Sequence, residues 1–147
     1  MYASRLDFAS HRDPAMPQQS NLYTRVGVDT AVAGASPHRL VAMLFDGFAD
    51  AIAAAKGALA SGQIEAKGRA IGRAARIVDE GLKANLDPAG GGALAADLAD
   101  LYAYVGLRLT QANLRNDAAA LDECLALMQP LRQAWASIAP QVASPRP

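Results

Sequence analysis

Apolar residues in this chain recur every three or four positions over four long stretches. From Pro37 to Ala60, the residues Leu40, Val41, Leu44, Phe45, Phe48, Ile52, Ala55 and Leu59 share one broad stripe, with Asp46, Asp50 and Lys56 outside it. That spacing returns to one side of a 3.6-residue turn and predicts an amphipathic helix. Ser61-Gly62 breaks the pattern. A second helix is expected from Gln63 to Leu86, with Ile64, Ile71, Ala75, Val78, Leu82 and Leu86 inward and Lys67, Arg69, Arg73 and Arg76 mostly on the solvated side. Asp87-Pro88 and the run Gly90-Gly91-Gly92 are expected to end it in a flexible loop. A third helix spans Ala93 to Asn116 along the seam Leu94, Leu98, Leu101, Val105, Leu109 and Ala112. The fourth starts at Asp117 and carries Leu121, Leu125, Met128, Leu131, Trp135 and Ile138 inward, with Pro130 expected to kink or break it.

Four amphipathic segments of similar length on short loops read as an all-α, antiparallel four-helix bundle covering residues 35–139. Residues 1–34 lack periodicity and include Pro14, Pro17, Gln18, Gln19 and Asn21, so they read as a flexible N-terminal arm. Tyr23, Val26 and Val28 form a short apolar anchor within it. Either that anchor folds back onto the body permanently, or it fills a groove that a partner later takes. Residues 140–147 are short and proline-containing and read as a disordered tail.

The third helix has a second apolar side. At 100° per residue, Leu107 and Leu114 fall nearly opposite the seam, with Ala96, Ala103 and Thr110 around them and Tyr104 on the flank. A helix with two apolar sides is either buried on both or keeps one for a partner, and a bundle only one helix thick favours the second. Tyr104, Leu107 and Leu114 are therefore the partner-binding candidates on the body, and Tyr23, Val26 and Val28 those on the arm.

Composition fits helices packed closely. Hydrophobic residues make up 52% of the 147 but aromatics only 5%, so alanine and leucine supply most of the core. Fourteen basic and fourteen acidic residues cancel, which removes any general attraction for nucleic acid or anionic lipid. No stretch has the length of a membrane span, and the polar N-terminus is no signal peptide, so a cytoplasmic location is expected. Cys124, the single cysteine, cannot form an internal disulfide or a multi-cysteine metal site and reads as a buried small hydrophobe.

Ser36, His38 and Asp46 are the residue types of a hydrolytic triad, but their spacing fits a helix start instead. Ser36 before Pro37 is an N-cap followed by proline at the first helical position, where its missing N–H costs nothing. His38 and Asp46 would then lie roughly 12 Å apart along the axis, too far for an Asp–His hydrogen bond. No catalytic residue, metal ligand or cofactor site is expected. Ser36, Pro37 and Asp117 are read as structural caps.

Three blocks together carry a resemblance. "YTRVGVDTAVAGASPHRLVAMLFDG" (Tyr23 to Gly47), "LYAYVGLRLTQANLRND" (Leu101 to Asp117) and "PLRQAWASI" (Pro130 to Ile138) resemble the flagellar secretion chaperone family FliS, over about Tyr23 to Ile138. The resemblance implies a cytosolic helical bundle that binds the disordered C-terminal region of flagellin. It would prevent premature polymerisation and aid delivery to the flagellar type III export gate. It also implies an arm whose tyrosine, here Tyr23 with Val26 and Val28 behind it, covers part of the binding surface. The choice of Tyr104, Leu107 and Leu114 comes from helical geometry and not from the resemblance.

Two other readings stand beside it. A histidine phosphotransfer domain is also a small four-helix bundle, but it needs an exposed mid-helix histidine, and His11 and His38 lie in the arm and in a first turn. A helical module that self-associates through the Leu107 and Leu114 face is the other, and a homodimer is compatible with chaperoning.

Overall fold

The structure, a computed structural model, describes residues 34–138. Tyr23, Val26 and Val28, the rest of the arm and the tail lie outside the described residues. Within them the regular structure is entirely helical. Helix α1 is Pro37–Ala60, and the Ser36 side chain accepts from the Arg39 amide at 3.1 Å. Gly62, at a φ of 75°, turns the chain after it. Helix α2 is Ile64–Arg76 and passes without a break into a π-helical segment, Ile77–Lys83. Helix α3 is Pro88–Arg115, and α4 is Ala118–Ser137.

The second connection differs from the sequence expectation. Asp87 caps α3 by accepting from the Gly90 amide at 3.0 Å, and Pro88 takes the first helical position. Pro88 to Gly91 thus form a short capped turn at the head of α3. Gly92, whose φ of 54° and ψ of −130° are non-helical and suit glycine alone, separates it from the long run that starts at Ala93, as the period predicts. Of the kink or break expected at Pro130, the break does not occur, since α4 runs through it without ending. Pro130 and Ala126, whose carbonyl loses its amide donor, are both exposed, so water can take that bond on the outer side.

Each helix packs against two neighbours, α1 on α2 and α4, α3 on α2 and α4, so the four form a ring around one core. Phe48, Leu44, Ile52, Ile77, Leu109, Leu121 and Met128 are its largest fully buried side chains. Gly81 lets α1 approach the π-helical segment: a Cβ there would meet the Leu44 side chain at 3.0 Å. Two positions read as inward run off the ends of the stripe instead, with Ile64 51% and Leu94 67% exposed. Tyr102, absent from the predicted seam, is buried.

Candidate functional site

The ring of helices is open at one end, where α1 begins, the π-helical segment and α4 finish, and α3 starts. A cavity of about 430 Å³ lies there, lined by Val41, Phe45, Leu82, Leu98, Leu131 and Trp135 among others, nearly all apolar. Trp135 is fixed in its wall from both sides. Its ring stacks on His38 with centroids 4.9 Å apart and planes within 8°. Its Nε1 donates to the His38 carbonyl at 3.0 Å, and His38 Nε2 donates to the Trp135 carbonyl at 2.9 Å. Those reciprocal bonds join the first turn of α1 to the last turn of α4 and brace the open end, which no described side chain fills.

The outer side of α3 is the second feature. Leu107 is 54% and Leu114 77% exposed, with Thr110 exposed between them and Ala103 exposed one turn before Leu107. A groove of about 380 Å³ runs beside this stripe, between α3 and α2 with its π-helical segment. Small residues Ala75, Ala103 and Gly106 share its lining with Arg76, Asp79 and Lys83. Its chemistry is therefore mixed, unlike the apolar open end. Tyr104, also exposed, leans toward α4, and its hydroxyl donates to Glu123 Oε2 at 2.6 Å. Arg108 Nε donates to the other carboxylate oxygen at 2.7 Å. The Tyr104 hydroxyl and then the Arg108 guanidinium hold the Glu123 carboxyl below its usual range, and the same bond to Glu123 pushes the Tyr104 phenol up. The structure thus keeps Leu107 and Leu114 together and fixes Tyr104 at their edge through polar contacts with α4.

The triad residue types have separate partners. His38 is taken up by Trp135, while Asp46 pairs with Arg132 Nη2 at 2.8 Å on α4. Ser36 is occupied as a cap, and Asp117 caps α4 by accepting from the amides of Ala119 and Ala120. Buried as it is, His38 offers no exposed imidazole to a phosphoryl donor. Among the described residues no cluster of three or more His, Cys, Asp or Glu could hold a metal ion. Cys124 is buried, and burial pushes its thiol from the ordinary value near 9 up to about 11. No helix among the described residues is long and apolar enough to cross a membrane.

One basic residue read as solvated is not. Lys67 is 3% exposed and bonded to the end of α3, whereas Arg69 and Arg76 do face solvent. Its α2 position lies against the α3–α4 turn, a juxtaposition that helical period does not reveal. The open-end cavity was equally hidden, although Trp135 in the last turn of α4 and Ile138 just past it hinted at apolar surface there.

Comparison with known proteins decides what this scaffold is. The model of the family described as "Flagellar protein FliS" matches residues 19–142. The chain belongs to the FliS family. It is 47% identical over 119 residues to the flagellar secretion chaperone FliS of Salmonella typhimurium, covering 81% of this chain and 88% of that one. It is 40% identical over 113 residues to FliS of Escherichia coli K12, covering 77% and 83%. Pseudomonas aeruginosa FliSB is 40% identical over 116 residues, covering 79% and 91%. As a family member the chain is a flagellar export chaperone, and its surfaces have to be read as places for a protein.

Proposed function

We propose that this chaperone acts in the cytosol, binds the disordered C-terminal region of flagellin and prevents its premature polymerisation. It would then aid delivery to the flagellar type III export apparatus by meeting a component of the export gate. The observation that carries the reading is the pair Leu107 and Leu114, exposed on a helix whose opposite side buries Val105, Leu109 and Ala112. An amphipathic client segment laid along α3 would cover both, gaining about 1.5–3 kcal/mol for each leucine fully buried. Part of that gain offsets the ordering of the client, which costs about 2–5 kcal/mol. Binding of this kind holds a client yet releases it, and it needs no catalytic residue or cofactor.

In this reading Tyr23, Val26 and Val28 occupy the open-end cavity until the client arrives. The position of Gly34 to Ser36 supports this, because the arm joins α1 at the same end of the bundle. Tyr104 contributes the edge of its ring beside Leu107, held by Glu123.

The test is Leu107→Asp combined with Leu114→Asp, titrated calorimetrically with the C-terminal segment of flagellin. The double variant should keep the wild-type circular dichroism spectrum and lose at least tenfold in affinity, because two carboxylates would have to be desolvated on docking. Wild-type affinity would remove the α3 face from the binding site, and concentration-dependent self-association lost in the variant would assign the face to a homodimer.

A further inference from the structure

The buried lysine on α2 is not needed to cover either surface, yet it reaches the edge of the α3 face. Lys67 Nζ donates to the Asn113 carbonyl at 2.8 Å and to Asn116 Oδ1 at 2.6 Å. Both acceptors sit where α3 ends. The amides of Asn116 and Asp117 both bond to the Ala112 carbonyl, so the Asn113 carbonyl loses the donor that a continuing helix would give it. Lys67 supplies that donor from another helix. Asn116 stands in the left-handed conformation at a φ of 52°, and the same lysine anchors its side chain. One head group thus ties α2, the last turn of α3 and the turn into α4. The neighbouring Gly68 shows how near the helices come, with its Cβ position 3.9 Å from Asn113 Oδ1.

The junction is flanked by exposed apolar side chains. Ile64 precedes Lys67 by one turn of α2, and Leu114 follows Asn113 directly. We propose that Lys67 is a positioning residue for client binding, locking the end of α3 against α2 so that Leu114 is held preformed in line with Leu107. The proposal rests on the flagellin reading for what docks there. Its physical content is preorganisation: a surface already fixed loses less freedom when a partner covers it. A helix end held only by its own frayed turn would have to be ordered by the client.

The variant Lys67→Met, in the full chain, keeps the apolar stem and removes the donor. In the free protein, hydrogen exchange at residues 110–117 should speed up at least tenfold while the amides of α1 keep their protection. In calorimetry with the flagellin C-terminal segment, affinity should fall at least tenfold at a temperature where the variant is fully folded. Ile52→Val, a core variant in α1, should lower the melting temperature and leave affinity unchanged. Unchanged exchange at the α3 end, or acceleration spread evenly over all four helices, would overturn the proposal. So would wild-type affinity in Lys67→Met when Leu107→Asp with Leu114→Asp has lost it. Should the wild type fail to bind the segment, the flagellin reading falls and the exchange data alone decide the role of Lys67. If Lys67→Met does not fold, Asn116→Gly serves instead, since glycine keeps the left-handed turn and deletes one acceptor. A smaller acceleration confined to residues 110–117 supports the proposal, and none overturns it.

Discussion

A single oxygen at position 36 sets the first residue of α1, and its worth can be measured. The Ser36 hydroxyl takes the Arg39 amide, so Ser36→Ala should lower stability by about 1 kcal/mol, read from urea or thermal unfolding, with client affinity unchanged. Cys124 makes a pH-dependent prediction. Its thiol titrates at about 11 in the folded chain, above its ordinary value near 9, so the folded state holds the proton more tightly than the unfolded one. Stability from this group is complete below pH 9 and is lost as pH rises from 9 through 11. Wild type should therefore lose stability over that interval relative to Cys124→Ala, whose own deficit from the cavity stays constant with pH. Equal slopes for the two proteins would mean the thiolate is not excluded. The caps at Ser36 and Asp117 were legible in the sequence because each depends on a few neighbouring residues. Lys67 and the His38–Trp135 pair were not, because their partners lie 46 and 97 positions away.

Among the helices, apolar period located all four and placed the α1 boundaries where they are. It also placed the main run of α3 at Ala93, past the break at Gly92, but not the capped turn before it, although Asp87-Pro88 repeats the pattern of Ser36-Pro37, an N-cap oxygen before proline. Three glycines read as a loop outweighed that signal, yet Pro88 opens one helical turn, which Gly92 breaks from the run that follows by a conformation other residues avoid. The π-helical turn after Arg76 has no period of its own to detect. Its trace is Gly81, whose missing side chain admits Leu44. Pro130, where a kink or a break is expected, does not end α4. Its cost depends on where the abandoned carbonyl points, and in α4 that is toward water. Pro130→Ala restores an amide donor to the Ala126 carbonyl and should raise stability by about 1–3 kcal/mol, seen as a higher melting temperature with an unchanged helical spectrum. A lower melting temperature would show that proline's restriction of the unfolded chain outweighs the missing bond.

For the molecule as a whole, the open end of the bundle and the exposed leucines of α3 are two apolar surfaces with different neighbours. The first adjoins the start of α1, so a segment of the same chain reaches it at high effective concentration. The second is held by α2 through Lys67 and by α4 through Tyr104 and Glu123. If the arm and the client compete for the cavity, the arm imposes a cost on every binding event, and removing it must strengthen binding. Deleting residues 1–28 should leave the helical spectrum intact and raise affinity for the flagellin segment severalfold. The chain provides its own reporter, because Trp135 is the single tryptophan and lines the cavity. Loss of a covering arm should shift its emission to longer wavelength, and added client should shift it back. Emission that does not move on deletion, together with unchanged affinity, would mean the arm never occupies the cavity. A shift in emission without a change in affinity would place the arm over Trp135 but the client elsewhere, on α3 alone.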